Sequence, residues 1–203
     1  MATIIRLNEE ITDKNAPVLR ATITSDDFSG SGEIVGSLTS AVLGGVPMTW
    51  GGASGGWTRE DGGIVTPQNS YHNALVLAGL PADLSATVTV RELPSGQGDR
   101  AMISLRATPT RNTRIYLRFF GDGSLSIWER ISDVESEVAD SGPGTVRVGD
   151  RISFELSGTT ARALVNGEVV ASGAVTYTAA GEMALTTYPI TRAVLDDLVI
   201  AEA

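Results

Sequence analysis

Residues 161–172 read Ala161-Arg-Ala-Leu-Val-Asn166-Gly167-Glu-Val-Val-Ala-Ser172. Two short apolar-rich runs flank Asn166-Gly167. Asn and Gly both tolerate positive φ, so the pair suits a two-residue type I′ turn whose twist matches that of the strands it joins. The stretch predicts an antiparallel hairpin. The same period of two continues on either side. Ile152, Phe154 and Leu156 alternate with polar residues in 151–156, and Ile115, Leu117 and Phe119 do so in 114–119. After the turn at Gly121-Asp122-Gly123, Leu125 and Ile127 repeat the pattern. Val88 and Val90, then Ile103 and Leu105, share one face in their own segments. Short strands at ~8–12-residue spacing predict an all-β fold of two stacked sheets. One 3₁₀ turn is expected near 81–85, where Pro81-Ala82-Asp83-Leu84 opens on proline.

Composition supports this. The 203 residues suit a single large β domain, which buries roughly 70% of its unfolded surface at this size. Hydrophobic residues make up 42%, which excludes a disordered chain. Residues 25–70 are punctuated by glycine, with pairs at Gly44-Gly45, Gly51-Gly52 and Gly62-Gly63, and read as short strands in long loops anchored by Trp50 and Trp57. Residues 1–24 differ in character, with Ile4, Ile5, Leu7 and Ile11 among charged neighbours ahead of Pro17. They read as an N-terminal arm, a short strand or arm followed by a linker and a strand at 18–24, ahead of a domain spanning 25–203. The arm is either an edge strand or a docking segment for a neighbouring subunit.

Charge and residue inventory narrow the chemistry. A net charge of −9 repels phosphate backbones, so nucleic acid is not an expected partner. No run approaches the ~18 apolar residues of a spanning helix, so membrane insertion is not expected. The N-terminal stretch lacks an apolar segment of signal-peptide length, and export by such a signal is not expected either. Absence of cysteine removes disulfides and thiolate metal sites. His72, the one histidine, lies in the polar run Asn69–Asn73 with no Gly-x-Ser-x-Gly motif elsewhere, and reads as a hydrogen-bonded surface residue.

The markers follow one another in a characteristic order. Asp26-Asp27-Phe28-Ser29-Gly30 opens the domain, followed by Trp50, Gly56-Trp57 and Asp61-Gly62-Gly63-Ile64. The segment Arg114 to Phe120, Leu125-Ser126-Ile127-Trp128, Val148-Gly149-Asp150-Arg151 and the Asn166-Gly167 hairpin come next, and Leu195-Asp196-Asp197-Leu198 closes the series. This order resembles the concanavalin A-like jelly roll of laminin-G domains and glucanases. The resemblance implies two curved antiparallel sheets with the first and last strands side by side. The opening and closing segments also look like those of jelly-roll domains in bacteriophage tail proteins. That implies a non-enzymatic virion structural protein, a minor tail or capsid-surface component. Its implied partners are other virion proteins, further copies of itself and, at a cell surface, glycans. A stand-alone carbohydrate-binding, lectin-like module is the alternative, and a glycoside hydrolase a weaker one.

Three constellations are candidates for chemistry. Asp133, Glu135 and Glu137 have the two-residue spacing of the carboxylates that retaining glucanases of this fold carry on one strand. The resemblance implies glutamates at the ends and aspartate between, and the run departs from that at two of three positions, so a solvated strand edge is the expectation and no catalytic residue is assigned. Asp26, Asp27, Asp196 and Asp197 meet if the terminal strands pair, and oxygen ligands suit calcium. Calcium is thus the one candidate cofactor, against the alternative that these acids cap turns. Lastly, if Leu125 and Ile127 face inward, Trp128 faces outward, and so do Arg114, Tyr116 and Arg118 opposite their apolar neighbours and Arg106 opposite Leu105. Residues 91–130 hold seven arginines against four acids, a local +3 that leaves −12 for the rest. Such a face suits sugar stacking, acidic glycans or a protein interface, where Trp, Tyr and Arg are enriched. Coverage by loops from 40–80 is the remaining alternative.

Overall fold

A computed structural model describes residues 21–29, 31–35, 37, 39, 45–52, 57–60, 63–65, 74–95, 98–188 and 192–203. Residues 1–20 of the expected arm, and His72, lie outside the described residues. The strands are β1 (Thr22–Asp26), β2 (Gly32–Glu33), β3 (Gly51–Gly52), β4 (Thr58–Glu60), β5 (Gly63–Val65), β6 (Ala74–Leu80), β7 (Leu84–Glu92) and β8 (Arg100–Ala107). They continue with β9 (Arg114–Phe120), β10 (Leu125–Ile131), β11 (Val134–Asp140), β12 (Arg151–Ser157), β13 (Thr160–Val165), β14 (Glu168–Ala174), β15 (Gly181–Tyr188) and β16 (Val194–Glu202). One sheet runs β14-β13-β12-β7-β16-β5-β4-β2, with β1 also on β16; the other runs β11-β10-β9-β8-β15-β6-β3. β1 begins inside the segment expected to be the arm, and it pairs with β16 through Ser25↔Val199 and Asp26↔Leu198, so the first described strand and the last are neighbours.

The period of two builds the core. Ile115, Leu117, Phe119, Leu125 and Ile127 from the seven-stranded sheet are fully buried, as are Val88, Val90, Ile152, Phe154 and Leu156 from the nine-stranded sheet, and all join one cluster between the layers. Trp50 and Trp57 belong to that cluster, and the Trp50 ring lies 6.1 Å from the ring of Phe28. At the hairpin, Asn166 and Gly167 have φ of 52° and 87°, with Val165 paired to Glu168, as a type I′ turn requires. The Asn166 carboxamide also accepts from the Arg151 amide at 3.0 Å and donates to Asp150 at 2.8 Å. Ser132 and Asp133 form a second two-residue loop with φ of 48° and 71°, without the glycine that usually marks one. At Gly121, a Cβ would overlap the Pro94 carbonyl oxygen, so the β9–β10 turn and the link after β7 approach one another only through glycine.

The chain passes between the sheets several times, and one side chain fastens two of these crossings, β6–β7 and β14–β15. Arg106 is 1% exposed. Its Nε donates to the Ala82 carbonyl, its Nη1 to the Tyr177 carbonyl and its Nη2 to the Asp83 carboxylate, each at 2.8 Å. Glu129 holds the second crossing from the other side, accepting from the Thr176 and Tyr177 amides at 2.7 and 2.8 Å. The expected 3₁₀ turn near 81–85 is absent: Ala82 and Asp83 form a bend and β7 starts at Leu84. Nor does Arg106 join the outward face as alternation predicted. Ser104 pairs with Ala184 but Ala107 with Glu182, so β8 carries one extra residue there, and Arg106 has φ of 51°. This β-bulge resets the alternation and turns the side chain into the sandwich edge.

Arg106→Ala is expected to lower unfolding free energy by about 2–4 kcal/mol, because two part-buried carbonyls and the Asp83 carboxylate lose their donor. Arg106→Lys is expected to recover only part of this, since one ammonium does not span three divergent acceptors. Urea denaturation of the two variants beside the parent chain measures both.

Candidate ligand-binding face

β9 and β10 sit side by side near one end of the seven-stranded sheet. With their apolar residues committed to the core, Arg114, Tyr116 and Arg118 on β9 and Ser126, Trp128 and Arg130 on β10 take the opposite face. Register aligns Trp128 with Tyr116, Ser126 with Arg118 and Arg130 with Arg114. Tyr116 continues to Ser104, Ser104 to Ala184, Ala184 to Val76 and Val76 to Gly51. One row of side chains therefore crosses the sheet from Trp128 to β3.

This face is not a solvated surface. Tyr116, Ser104 and Thr186 are buried, as are Arg114 and Arg118, while Trp128 and Arg130 are half-buried. The Arg118 guanidinium carbon lies 4.1 Å from the Trp128 ring centroid and 4.9 Å from that of Tyr116. Arg114 covers the Tyr116 ring at 4.6 Å. The result is a ladder of alternating cation and ring, each contact contributing about 0.5–2 kcal/mol at this degree of burial. Arg118 Nη2 donates to the Tyr116 hydroxyl at 2.7 Å and to Glu135 at 2.9 Å, and Trp128 Nε1 donates to Ser126 Oγ at 2.8 Å. Arg130 reaches Asp133 at 2.6 Å and Glu135 at 3.9 Å.

The electrostatics fix the protonation states. Burial, followed by the hydrogen bond to Glu135, pushes the Tyr116 phenol up to about 12 from its ordinary 10.0. For Glu135 burial opposes ionisation. The hydrogen bond from Tyr116, the charge and hydrogen bond of Arg118 and the charge of Arg130 outweigh it and hold the carboxyl below its ordinary 4.5. Glu135 is thus an ionised acceptor, the opposite of the raised carboxyl that a general acid requires. β11, which carries Glu135 and Glu137, is the edge strand and is largely exposed.

Of the residues expected on this face, Arg114, Tyr116, Arg118 and Trp128 come together and Arg106 does not. The sequence reading overlooked Arg130, Ser104 and Thr186. Arg130 shares the parity of Trp128, and that signal was present. The four aspartates weighed as calcium candidates are each tied to a donor of their own. Asp26 Oδ1 accepts from the Phe28 amide at 2.9 Å and Oδ2 from Trp50 Nε1 at 2.7 Å, with Arg59 at 3.5 Å. Asp27 caps the Ser29 amide at 3.2 Å, and Asp197 accepts from the Thr89 hydroxyl at 3.3 Å. Asp196 pairs with Arg91 and accepts from the Asp197 amide at 2.8 Å, while burial pushes its pKa up. Among the described residues no group of three or more His, Cys, Asp or Glu is arranged to hold a metal ion.

No protein-family model matches the chain, and no curated protein matches it. Solved structures do. The carbohydrate-binding module CBM66 from Bacillus subtilis superposes with a TM-score of 0.62 at 13% identity over 76% of this chain and 97% of its own. A Bacillus subtilis protein with a galectin-like fold gives 0.63 at 10% identity over 90% and 96%. The catalytic domain of an endo-1,3-beta-glucanase (laminarinase) from Thermotoga petrophila gives 0.60 at 13% identity over 90% and 98%. The fold is a concanavalin A-like jelly roll. At these identities the likeness establishes the fold and no more. Among the described residues no helix is long and apolar enough to cross a membrane.

The Tyr116 shift predicts a pH response. A folded-state pKa above the unfolded one favours the protonated form, so this contribution to stability is complete below pH 10 and is lost as pH rises through about 12. Glu135 works in the other direction: its contribution is present above its ordinary 4.5 and disappears as pH falls through the depressed folded value. Tyrosinate absorbance is expected to lose its late-titrating component in Tyr116→Phe. Denaturation midpoints measured against pH are expected to lose part of their acid limb in Glu135→Gln.

Proposed function

We propose that this protein is a carbohydrate-binding, lectin-like module, and that the glycan lies across the outer face of the seven-stranded sheet with one ring against Trp128. The observation that carries this is the preformed ladder Arg114–Tyr116–Arg118–Trp128 on a face the core does not use. The ring contacts at 4.1 to 4.9 Å hold both aromatics in place before any ligand arrives. Preorganised rings limit the entropy lost on binding. Around them stand directional polar groups: the Ser126 hydroxyl, the Arg130 guanidinium and the ionised Glu135 carboxylate. Apolar platforms with a few fixed polar groups are the usual make-up of small-molecule sites.

The solved structures described above include one named as a carbohydrate-binding module and one as galectin-like, which supports this choice over the virion structural role implied by the resemblance to phage tail proteins. A module of this kind is compatible with a place on a virion, and its presence in purified particles tests that location. They also include a glucanase catalytic domain. Glu135 is not the raised carboxyl a general acid requires, and its Oε2 already accepts from Arg118, which supports binding without cleavage.

On an array of immobilised glycans the isolated chain is expected to bind a restricted set. Trp128→Ala is expected to weaken the best ligand about tenfold or more, as removal of a central aromatic anchor does, while lowering stability by only about 1 kcal/mol through the lost contact with Arg118. Trp128→Phe keeps a ring and is expected to fall between. Reducing-end assays on the same glycans are expected to show no turnover. Array binding that is unchanged in Trp128→Ala would remove the basis of this assignment.

A further inference from the structure

Beside the ladder lies a cavity of about 260 Å³ lined by Thr110, Arg111, Arg114, Arg130, Asp133 and Thr186. Three guanidiniums face it against one carboxylate. Asp133 is engaged by Arg130, which also reaches Glu135. Arg114 is 5% exposed; its Nε has no hydrogen-bond partner, its guanidinium forms no ion pair among the described residues and lies over the Tyr116 ring, and Glu135 acts on it only from farther away. Thr186 is 2% exposed and its Oγ1 is likewise without a partner. Arg114 and Arg130 are also directly opposite across β9 and β10, where like charges destabilise a sheet. A buried charge without a hydrogen-bonded partner is costly, and natural chains retain such groups where something completes them.

The rim is built to keep this arrangement. Arg111 sits in the left-handed region at φ 55°, in a turn closed by its amide on the Thr108 carbonyl at 2.7 Å. The Asn112 carbonyl accepts from the Asp133 amide at 2.9 Å, and Thr113 Oγ1 accepts from the Ser132 amide at 3.1 Å. The β8–β9 loop and the β10–β11 turn are therefore fastened to one another around the cavity.

The geometry points to an anion subsite: the cavity takes an acidic substituent of a sugar, a carboxylate or a sulfate ester, between Arg111, Arg114 and the Thr186 hydroxyl. Planar guanidiniums bind such oxyanions through paired charge-assisted hydrogen bonds. Burial lowers the pKa of Arg114; Arg130 and Arg111 add to this while Tyr116 and Glu135 act against it, and a bound anion would act against it too. Along the strand, Arg130 lies two residues from Trp128, about 7 Å, so a ring stacked on Trp128 and its acidic neighbour can be held together. The inference rests on the proposed glycan face and specifies the class of glycan it takes.

Titration calorimetry with tetragalacturonate, its fully methyl-esterified form, a sulfated galactan tetrasaccharide and poly-glutamate of similar charge tests it. Tetragalacturonate or the sulfated tetrasaccharide is expected to bind about ten- to a hundredfold more tightly than the neutral ester, the range for hydrogen bonds to charged groups. Preference between those two identifies the acidic group as carboxylate or sulfate. Arg111→Asn, which tolerates the positive φ, is expected to remove most of that preference. Thr186→Val is expected to weaken the acidic ligand while leaving the melting temperature unchanged or higher, since its hydroxyl has no partner in the free protein. Equal affinity for acid and ester, with Trp128→Ala still weakening both, overturns the anion subsite and leaves the glycan face standing. Acid-selective binding indifferent to Trp128→Ala supports the subsite and removes the glycan face. Equal binding of poly-glutamate, or binding of none of the four, overturns the subsite.

Discussion

A strand has only two faces, and that constraint organises everything on β9 and β10. The core claims Ile115, Leu117, Phe119, Leu125 and Ile127, each without solvent exposure. A shift of one residue would place arginines between the sheets and strand five large apolar groups outside, so the register is fixed by burial. The residues left over, Arg114, Tyr116, Arg118, Trp128 and Arg130, have no freedom to go elsewhere. The functional face is the complement of the core, and its spacing is inherited from the β ladder. That is why two rings and three guanidiniums fall within stacking distance without any loop to arrange them.

The sandwich is held in shape by polar interactions at its edge as much as by apolar area. Arg106 and Glu129 bear opposite charges, and both are buried against the β14–β15 crossing without pairing with one another. One donates to the Tyr177 carbonyl and the other accepts from the Tyr177 amide. Fastening the crossings sets how the seven-stranded sheet lies over the nine-stranded one. Arg106 also reaches Asp83, whose carboxylate accepts from the Gly158 amide at 3.0 Å, so the β6–β7 link and the β12–β13 turn are tied at the same point. The charges are satisfied mainly by backbone groups at links where no ladder is available to satisfy them.

Local pattern carried most of this fold. Asn166-Gly167, the alternation in 114–119 and 151–156 and the apolar partners in 125–127 were all legible, because each depends on neighbours within a few residues. Bulges were not. The extra residue at Arg106 in β8, and another at Asp197 in β16 with φ of 48°, each reset the alternation downstream. Neither position carries a glycine to announce a positive φ. Alternation therefore assigned Arg106 to the outer face when it lies in the sandwich edge. The aspartates show a related limit. Pairing of β1 with β16 does bring the terminal segments together, but Asp26 is turned toward Trp50 and Asp196 toward Arg91. Pairing of strands settles which backbones meet and says little about which side chains do.

The outer face shows the same division between what sequence carries and what only three dimensions supply. An arginine count of seven in residues 91–130 pointed to a basic face on an acidic chain, but not to the role of each. Their partners separate them. Arg118 is neutralised by Glu135 and lies between two rings, so it stiffens the platform. Arg130 is neutralised by Asp133 and Glu135. Arg106 is spent on the fold. Arg114 alone of these is buried with neither an ion pair nor an acceptor among the described residues, opposite another arginine and beside an unpartnered threonine hydroxyl, with Glu135 acting on it only from farther away. Folding gains nothing from that placement: a leucine there would pack against Tyr116 without the desolvation cost. The excess is best understood as held for an oxyanion, which converts the least favourable position on the sheet into its most selective one.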